Sequence, residues 1–153
     1  MKLRRGRLED MAEVARLHRH TVRTSLPFLP VLHTPQEDFD YFSTILFAKA
    51  QFWLAEDEPG EGGAGEALGY IAFRPDFIEH LFIRPDAQGQ GIGPRLLEKA
   101  REGAAELSLW TFQQNLRARR FYERHGFVVV TETDGADNEE RMPDVLYRWR
   151  RAG

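Results

Sequence analysis

Three glycines within five positions, Gly89, Gly91 and Gly93, stand between an apolar run that ends at Ile83 and a helical pattern that begins near Pro94. That order predicts a strand, a turn and a helix, and it constrains this chain more than any other stretch. Glycine has no Cβ, so the backbone of Gln88, Gly89, Gln90, Gly91, Ile92 and Gly93 can take positive φ values and let a bulky ligand approach the main chain. A helix that opens directly after such a turn leaves its first N–H groups unpaired and adds the positive end of its dipole. Together these make a cradle for a phosphate or pyrophosphate. Rival phosphate loops fail on the residues present. A Walker loop ends in Gly-Lys followed by Ser or Thr, which is missing here. A dinucleotide fingerprint spaces its glycines as G-x-G-x-x-G in a first βα unit, whereas these alternate and lie past the middle of the chain. A glycine-rich turn that merely caps a helix is the competing reading.

The chain has 153 residues, which fits a single domain over 1–153 with a substantial core. A formal net charge of −3 argues against a protein devoted to gripping nucleic acid. With no cysteine there is no disulfide framework, thiol nucleophile or zinc–thiolate site. That composition fits a reducing cytoplasm. No apolar run reaches the roughly 18 residues of a membrane span, and the Arg-rich start lacks the apolar centre of a secretory signal.

Along the chain, Met1 to Arg7 reads as a weak edge strand. Asp10-x-x-Glu13 reads as a capping box for a helix to about His20, with Met11, Val14, Ala15, Leu17 and His18 on its apolar face. Thr34-Pro35-Gln36-Glu37 opens a second helix that carries Phe39, Phe42, Ile45 and Leu46. Strands follow at Phe52–Glu56, Ala67–Arg74 and Phe77–Ile83, the first two separated by an acidic, glycine-rich hairpin loop over Glu58–Glu66. After the glycine turn, Leu96, Leu97 and Ala100 mark a buried helix face. A strand at Leu107–Phe112, a helix at Asn115–His125 closed by Gly126, and strands at Phe127–Thr133 and Val145–Arg150 complete the order. The result is a mixed α/β (α+β) chain with a largely antiparallel sheet.

Gln88-x-x-Gly91-x-Gly93, within the segment His80 to Glu98, resembles the central motif of the GCN5-related N-acetyltransferases (GNAT). Asn115 to Phe127 resembles a later motif of that family, in which an Asn at a helix start and a Tyr seven residues on face the cofactor. Two helical turns span about 7.2 residues, so Asn115 and Tyr122 do share a face. The resemblance covers nearly the whole chain and is least specific over Thr21–Lys49 and the tail. It implies the GNAT fold, with a central sheet of about seven strands flanked by about four helices. It also implies transfer of an acetyl group from acetyl-CoA to a primary amine by direct attack, with no metal. The acceptor reads as a small molecule. A protein or peptide amine, or a non-catalytic acyl-CoA-binding module, are the alternatives. A homodimer is the implied assembly, without nucleic acid or membrane partners.

The resemblance also distributes roles. Backbone amides from Gln88 to Gly93 would hold the pyrophosphate, and Leu81, Phe82 and Ile83 would pair with pantetheine like an added strand. Asn115 would bond the cofactor and Tyr122 would be the general acid for the departing thiolate. Pro94 departs from the usual pattern and removes one N–H donor. A backbone N–H near Leu81 is the natural oxyanion donor. Glu79 corresponds to the base of histone-acetylating members, and strand alternation would put it on one face with Leu81 and Ile83, turning His80 away. Trp110 stands where N-terminal acetylating members carry a base, which leaves a water relay as the alternative to Glu79. Arg117, Arg119, Arg120 and Arg124 read either as a solvated helix face or as a patch for a 3′-phosphate or nucleic acid, the solvated face being the commoner case. Phe28, Phe39, Phe42 and Trp53 are candidates to line the acceptor pocket, with the acidic stretch from Asp134 to Asp144 drawing in a cation.

Overall fold

A computed structural model describes residues 1–59 and 65–153. Part of the hairpin loop expected over Glu58–Glu66 therefore lies outside the described residues. Among the described residues, seven strands form one sheet in the order β1-β2-β3-β4-β5-β7-β6. They are β1 (Lys2–Arg5), β2 (Gln51–Glu56), β3 (Ala67–Arg74), β4 (Phe77–Ile83), β5 (Glu106–Phe112), β6 (Val128–Thr133) and β7 (Asp144–Arg150). Every neighbouring pair is antiparallel except β4–β5, which is parallel.

Helices cover both faces, because the inner strands bury side chains on both sides of the sheet, β3 at nearly every position. On one face α1 (Met11–Ser25) and the turn that continues α2 (Pro35–Tyr41) pack Met11, Val14, Leu17 and Phe42 against Phe52, Leu54, Tyr70 and Ala72. On the other, α4 (Ile92–Arg101) and α5 (Leu116–Arg124) pack Ile92, Leu96, Leu97 and Tyr122 against Ile71, Ile78, Leu107 and Tyr147. Leu96 and Leu97 are fully buried, and truncating either to Ala would cost about 2–5 kcal/mol. No helix among the described residues is long and apolar enough to cross a membrane.

The caps show how local chemistry sets the layers. At Thr34 the expected box forms: its hydroxyl accepts from the Glu37 N–H at 3.1 Å, and Glu37 Oε1 accepts from the Thr34 N–H at 2.9 Å. At Asp10 it does not. Arg4 holds that carboxylate with two bonds of 2.8 Å, and it accepts from the Arg7 N–H at 2.7 Å, one turn earlier than expected. Glu13 instead accepts from the Ala67 N–H of β3 at 3.2 Å. Helix α1 runs past His20 to Ser25 and stops at Leu26, since the following Pro27 disfavours helical backbone there. Helix α2 continues through a wider turn, Phe42–Leu46, into a last turn, α3 (Phe47–Lys49). The wider turn buries Phe42 and Leu46 and leaves Phe39 and Ile45 exposed.

Candidate active site at a split in the sheet

Strands β4 and β5 share a single paired position, Phe77 with Ser108. Beyond it they separate, although β4 continues to Ile83 and β5 to Phe112. β5 is committed to β7 along its whole length. β4 carries a bulge: Ala72 faces His80 while Phe73 faces Ile78, so Glu79 is an extra residue. Such a bulge bends its strand and sharpens its twist. The edge of β4 from Leu81 to Ile83 is left without a strand partner on the β5 side.

A cavity of about 730 Å³ fills this split. Leu81, Phe82 and Ile83 form one wall, the glycine turn one end, and Asn115, Ala118 and Tyr122 of α5 the facing wall. Of the turn residues predicted to bind, Gln88, Gly89, Gly91, Ile92 and Gly93 line it, and Gln90 does not. Gly89 and Gly91 take φ of 79° and 81°, the left-handed region that favours glycine. A Cβ at either would meet no atom within 4 Å, so their constraint is conformational. Gly93 is different: a Cβ there would lie 3.1 Å from the Phe121 ring, so its smallness lets α4 pack on α5. Gln88 also braces the turn, its Nε2 donating to the Ile83 carbonyl at 3.0 Å.

Asn115 caps α5, its Oδ1 accepting from the Ala118 N–H at 3.2 Å, and it also lines the cavity. Tyr122 is 6 % exposed and packs among Phe121, Phe127 and Tyr147. Burial pushes its hydroxyl well above the ordinary tyrosine range, which keeps it protonated. Arg117, Arg120 and Arg124 stand at the rim of the cavity, while Arg119 turns away to the Tyr147 hydroxyl and Glu132. Thr21 of α1 was not predicted. Its side chain lines the same cavity, is 3 % exposed, and has no hydrogen-bond partner for its hydroxyl among the described residues.

A second cavity, about 530 Å³, adjoins the first and shares Leu26, Phe82 and Asn115 with it. Its walls are Pro27, Leu29 to His33, Trp110, Phe112, Glu79 and His80. The aromatics expected here do not line it. Phe42 is buried in the core, Trp53 lies under Lys99 on the opposite face, and Phe28 lies edge-on to Phe112. Of the acidic stretch, Glu140 reaches the wall and Glu139 pairs with His33 at 2.5 Å.

The bulge overturns the expected alternation on β4. Leu81 and Ile83 pack toward α4 and α5, whereas Glu79 and His80 both turn to the second cavity. Glu79 Oε1 lies 2.9 Å from Arg74 Nε and 3.6 Å from Lys49 Nζ. The Arg74 N–H is not aimed at the oxygen, so that contact is ionic. His80 turns away from Leu81 and Ile83 as expected, and its Nδ1 is 2.8 Å from the Tyr70 hydroxyl, which is also 2.9 Å from Nδ1 of His18. Burial holds both imidazoles below their ordinary range, His18 at about 4. The available signal was a histidine at position 18 on an otherwise apolar helix stripe.

The fold and both motifs can be set beside known proteins. The peptidyl-lysine N-acetyltransferase YjaB of Salmonella typhimurium is 28% identical over 146 residues, covering 94% of each chain. The solution structure of apo YjaB from Escherichia coli superposes with a TM-score of 0.75 at 26% identity, over 99% of this chain and 98% of that one. The PaiA N-acetyltransferase of Thermoplasma acidophilum, solved with coenzyme A, shares the fold with a TM-score of 0.75 at 18% identity, over 98% of each chain. Residues 48–129, just over half the chain and including the glycine turn and α5, match the acetyltransferase (GNAT) domain. The chain belongs to the GNAT family of acyl-CoA-dependent N-acetyltransferases.

Proposed function

We propose that this protein transfers the acetyl group of acetyl-CoA, held in the first cavity, to the primary amine of a small molecule held in the second. The observation that carries this reading is the junction of the two cavities at Leu26, Phe82 and Asn115, where donor and acceptor would meet for direct attack. The residues present fit the donor. Gly89 and Gly91 hold left-handed backbone with no protein atom crowding a would-be Cβ. The first turn of α4 offers the N–H groups of Ile92 and Gly93 to a pyrophosphate, while Pro94 offers none. The free edge of β4 from Leu81 to Ile83 can pair with an amide-bearing chain, and the buried Thr21 hydroxyl supplies one further polar contact.

Roles follow from place. The Leu81 N–H, on the unpaired edge, donates to the oxygen of the carbonyl under attack. Asn115 bonds the donor chain at the junction. Tyr122, kept protonated by burial, delivers a proton to the departing sulfur. Glu79, beside Arg74 and Lys49, places a carboxylate at the wall where a cationic amine would enter. Much of the rate comes from holding amine and thioester together, which asks little of side-chain identity.

A small acceptor is supported by the size of the second cavity, about 530 Å³, within the roughly 300–1,000 Å³ of small-ligand pockets. Its apolar wall of Pro27 and Leu29 to Leu32 suits an alkyl chain behind the amine. A second reading, acetylation of lysine in peptides, is favoured by the activity named for YjaB. Both acceptors would present the same alkyl ammonium group. Release of free thiol from acetyl-CoA, screened against polyamines, amino acids, aminoglycosides and lysine peptides, tests the proposal. Turnover confined to peptides would replace it with the second reading. Acetyl-CoA binding without thiol release with any amine would leave an acyl-CoA-binding module.

A further inference from the structure

The Tyr70 hydroxyl lies between two imidazole nitrogens, 2.9 Å from Nδ1 of His18 and 2.8 Å from Nδ1 of His80. The two rings stack at 4.9 Å with a 19° tilt, and both line the second cavity. A phenol carries one proton, so it can donate to one of these nitrogens and must accept from the other. The accepting ring then carries its proton on Nε2, and the donating ring keeps a bare Nε2 lone pair. Opposite tautomers are thus imposed on two neighbouring neutral rings. Tyr70 is fully buried and cannot swing away to relax the constraint. Between them the rings hold one basic nitrogen and one N–H donor. Charging both would stack two cations at 4.9 Å and strand the phenol proton, so the assembly takes up a single proton.

We propose that the His18–Tyr70–His80 assembly is the base that removes the acceptor nitrogen's proton as the N–C bond forms. This inference rests on the acetyl transfer proposed above. A neutral amine attacks the thioester carbonyl, and as its lone pair becomes the N–C bond its remaining protons become acidic. One passes to the bare Nε2 lone pair; the C–S bond breaks, sulfur takes the electron pair, and Tyr122 gives it a proton. The imidazolium returns its proton to water, Tyr122 regains one from water, and no oxidation or further reactant is needed. His18 and His80 are then catalytic residues and Tyr70 is a positioning residue.

The charged neighbours are largely paired among themselves. Asp38 of α2 is held by Arg19 at 2.9 Å, and Glu79 lies against Arg74 and Lys49. Tyr41 of α2 adjoins Tyr70, and Arg23, His33 and Glu140 stand farther along the cavity wall. Burial keeps both rings neutral near neutral pH, which leaves the lone pair ready.

The test uses His18→Asn and His80→Asn, because Asn can keep a polar atom near the Nδ1 position facing Tyr70 while deleting Nε2. Unfolding temperature and acetyl-CoA affinity establish that each variant folds and binds the donor. The expected result, in the wild-type turnover assay, is a kcat reduced about 10²-fold or more in at least one variant, in the range of general base catalysis. Its acid limb in kcat should disappear. Tyr70→Phe should shift that limb and, by ¹⁵N NMR of the imidazoles, lose the one-Nδ1–H, one-Nε2–H pattern of the wild type. If wild-type protein turns over and both histidine variants stay within about threefold of it, the inference is overturned. It is also overturned if Glu79→Gln abolishes the acid limb while the histidine variants keep it. Absence of turnover in the wild type with every amine would instead defeat the acetyl-transfer reading itself.

Discussion

Gly91 allows folding and donor binding to be separated by two substitutions at one position. It opens α4 with φ of 81°, and a Cβ placed there would meet no atom within 4 Å. Any cost to the fold is therefore the cost of the backbone angle. For a β-branched residue that cost is about 1–2 kcal/mol, which at about 2–4 °C per kcal/mol for a chain of this size lowers Tm by about 2–8 °C. Asn tolerates left-handed backbone, so Gly91→Asn should lower Tm by less than about 2 °C while Gly91→Val shows the larger drop. Donor binding should not follow that order. Gly91 lines the cavity, and both side chains add bulk where backbone N–H groups would meet a pyrophosphate. Losing one charge-assisted hydrogen bond costs about 1.5–3 kcal/mol, a roughly 10- to 150-fold weaker Kd. Thermal unfolding gives the first quantity and calorimetric titration with acetyl-CoA the second. If Gly91→Asn binds acetyl-CoA within about twofold of wild type, the main-chain cradle is not what grips the donor.

Thr21→Val should act with opposite signs: removing an unpaired buried hydroxyl raises Tm by about 2–4 °C, while the Kd for acetyl-CoA weakens roughly 3- to 10-fold. A variant less stable than wild type, or one with unchanged affinity, would contradict this. Tyr122→Phe should lower kcat by about 10²-fold or more with little change in donor affinity. Because burial raises this hydroxyl above its ordinary 10.0, the group stays a competent acid up to that pH. A basic limb near pH 8 that vanished in Tyr122→Phe would refute its role. Arg4 holds the Asp10 carboxyl below its ordinary 3.8, so its contribution is fully present above that pH and is lost as pH falls through the lower folded value. Asp10→Asn should therefore cost about 2–3 kcal/mol near pH 7 and flatten the fall of Tm below about pH 4; parallel Tm curves for the two proteins would show that the pair does not govern acid stability.

Much of this architecture is written in short-range patterns. The Thr34 box, the apolar positions of α4, and the seven-residue step from Asn115 to Tyr122 depend on local periodicity, and each appears where periodicity puts it. What could not be read depends on chain segments far apart in sequence. The extra residue at Glu79 arises from pairing with β3, and strand alternation cannot anticipate a bulge. That single insertion turned Glu79 to the second cavity and separated it from Leu81. Tyr70 joins His18 and His80 from three different elements, and nothing in the spacing of those letters signals their meeting. The Asp10 cap shifted by a turn because Arg4, six residues away, made a stronger claim on the carboxylate.

With β4 and β5 touching at one register position, the sheet consists of two ribbons on a single stitch, β1–β4 on one side and β5, β7 and β6 on the other. Each ribbon has its own hydrogen-bonded ladder, so little backbone bonding resists a rocking of one against the other. A carrier lying along the Leu81–Ile83 edge would act as a zip for that seam. Donor loading would then tighten the scaffold, slowing amide exchange in both ribbons at once, and release of the spent carrier would loosen it again.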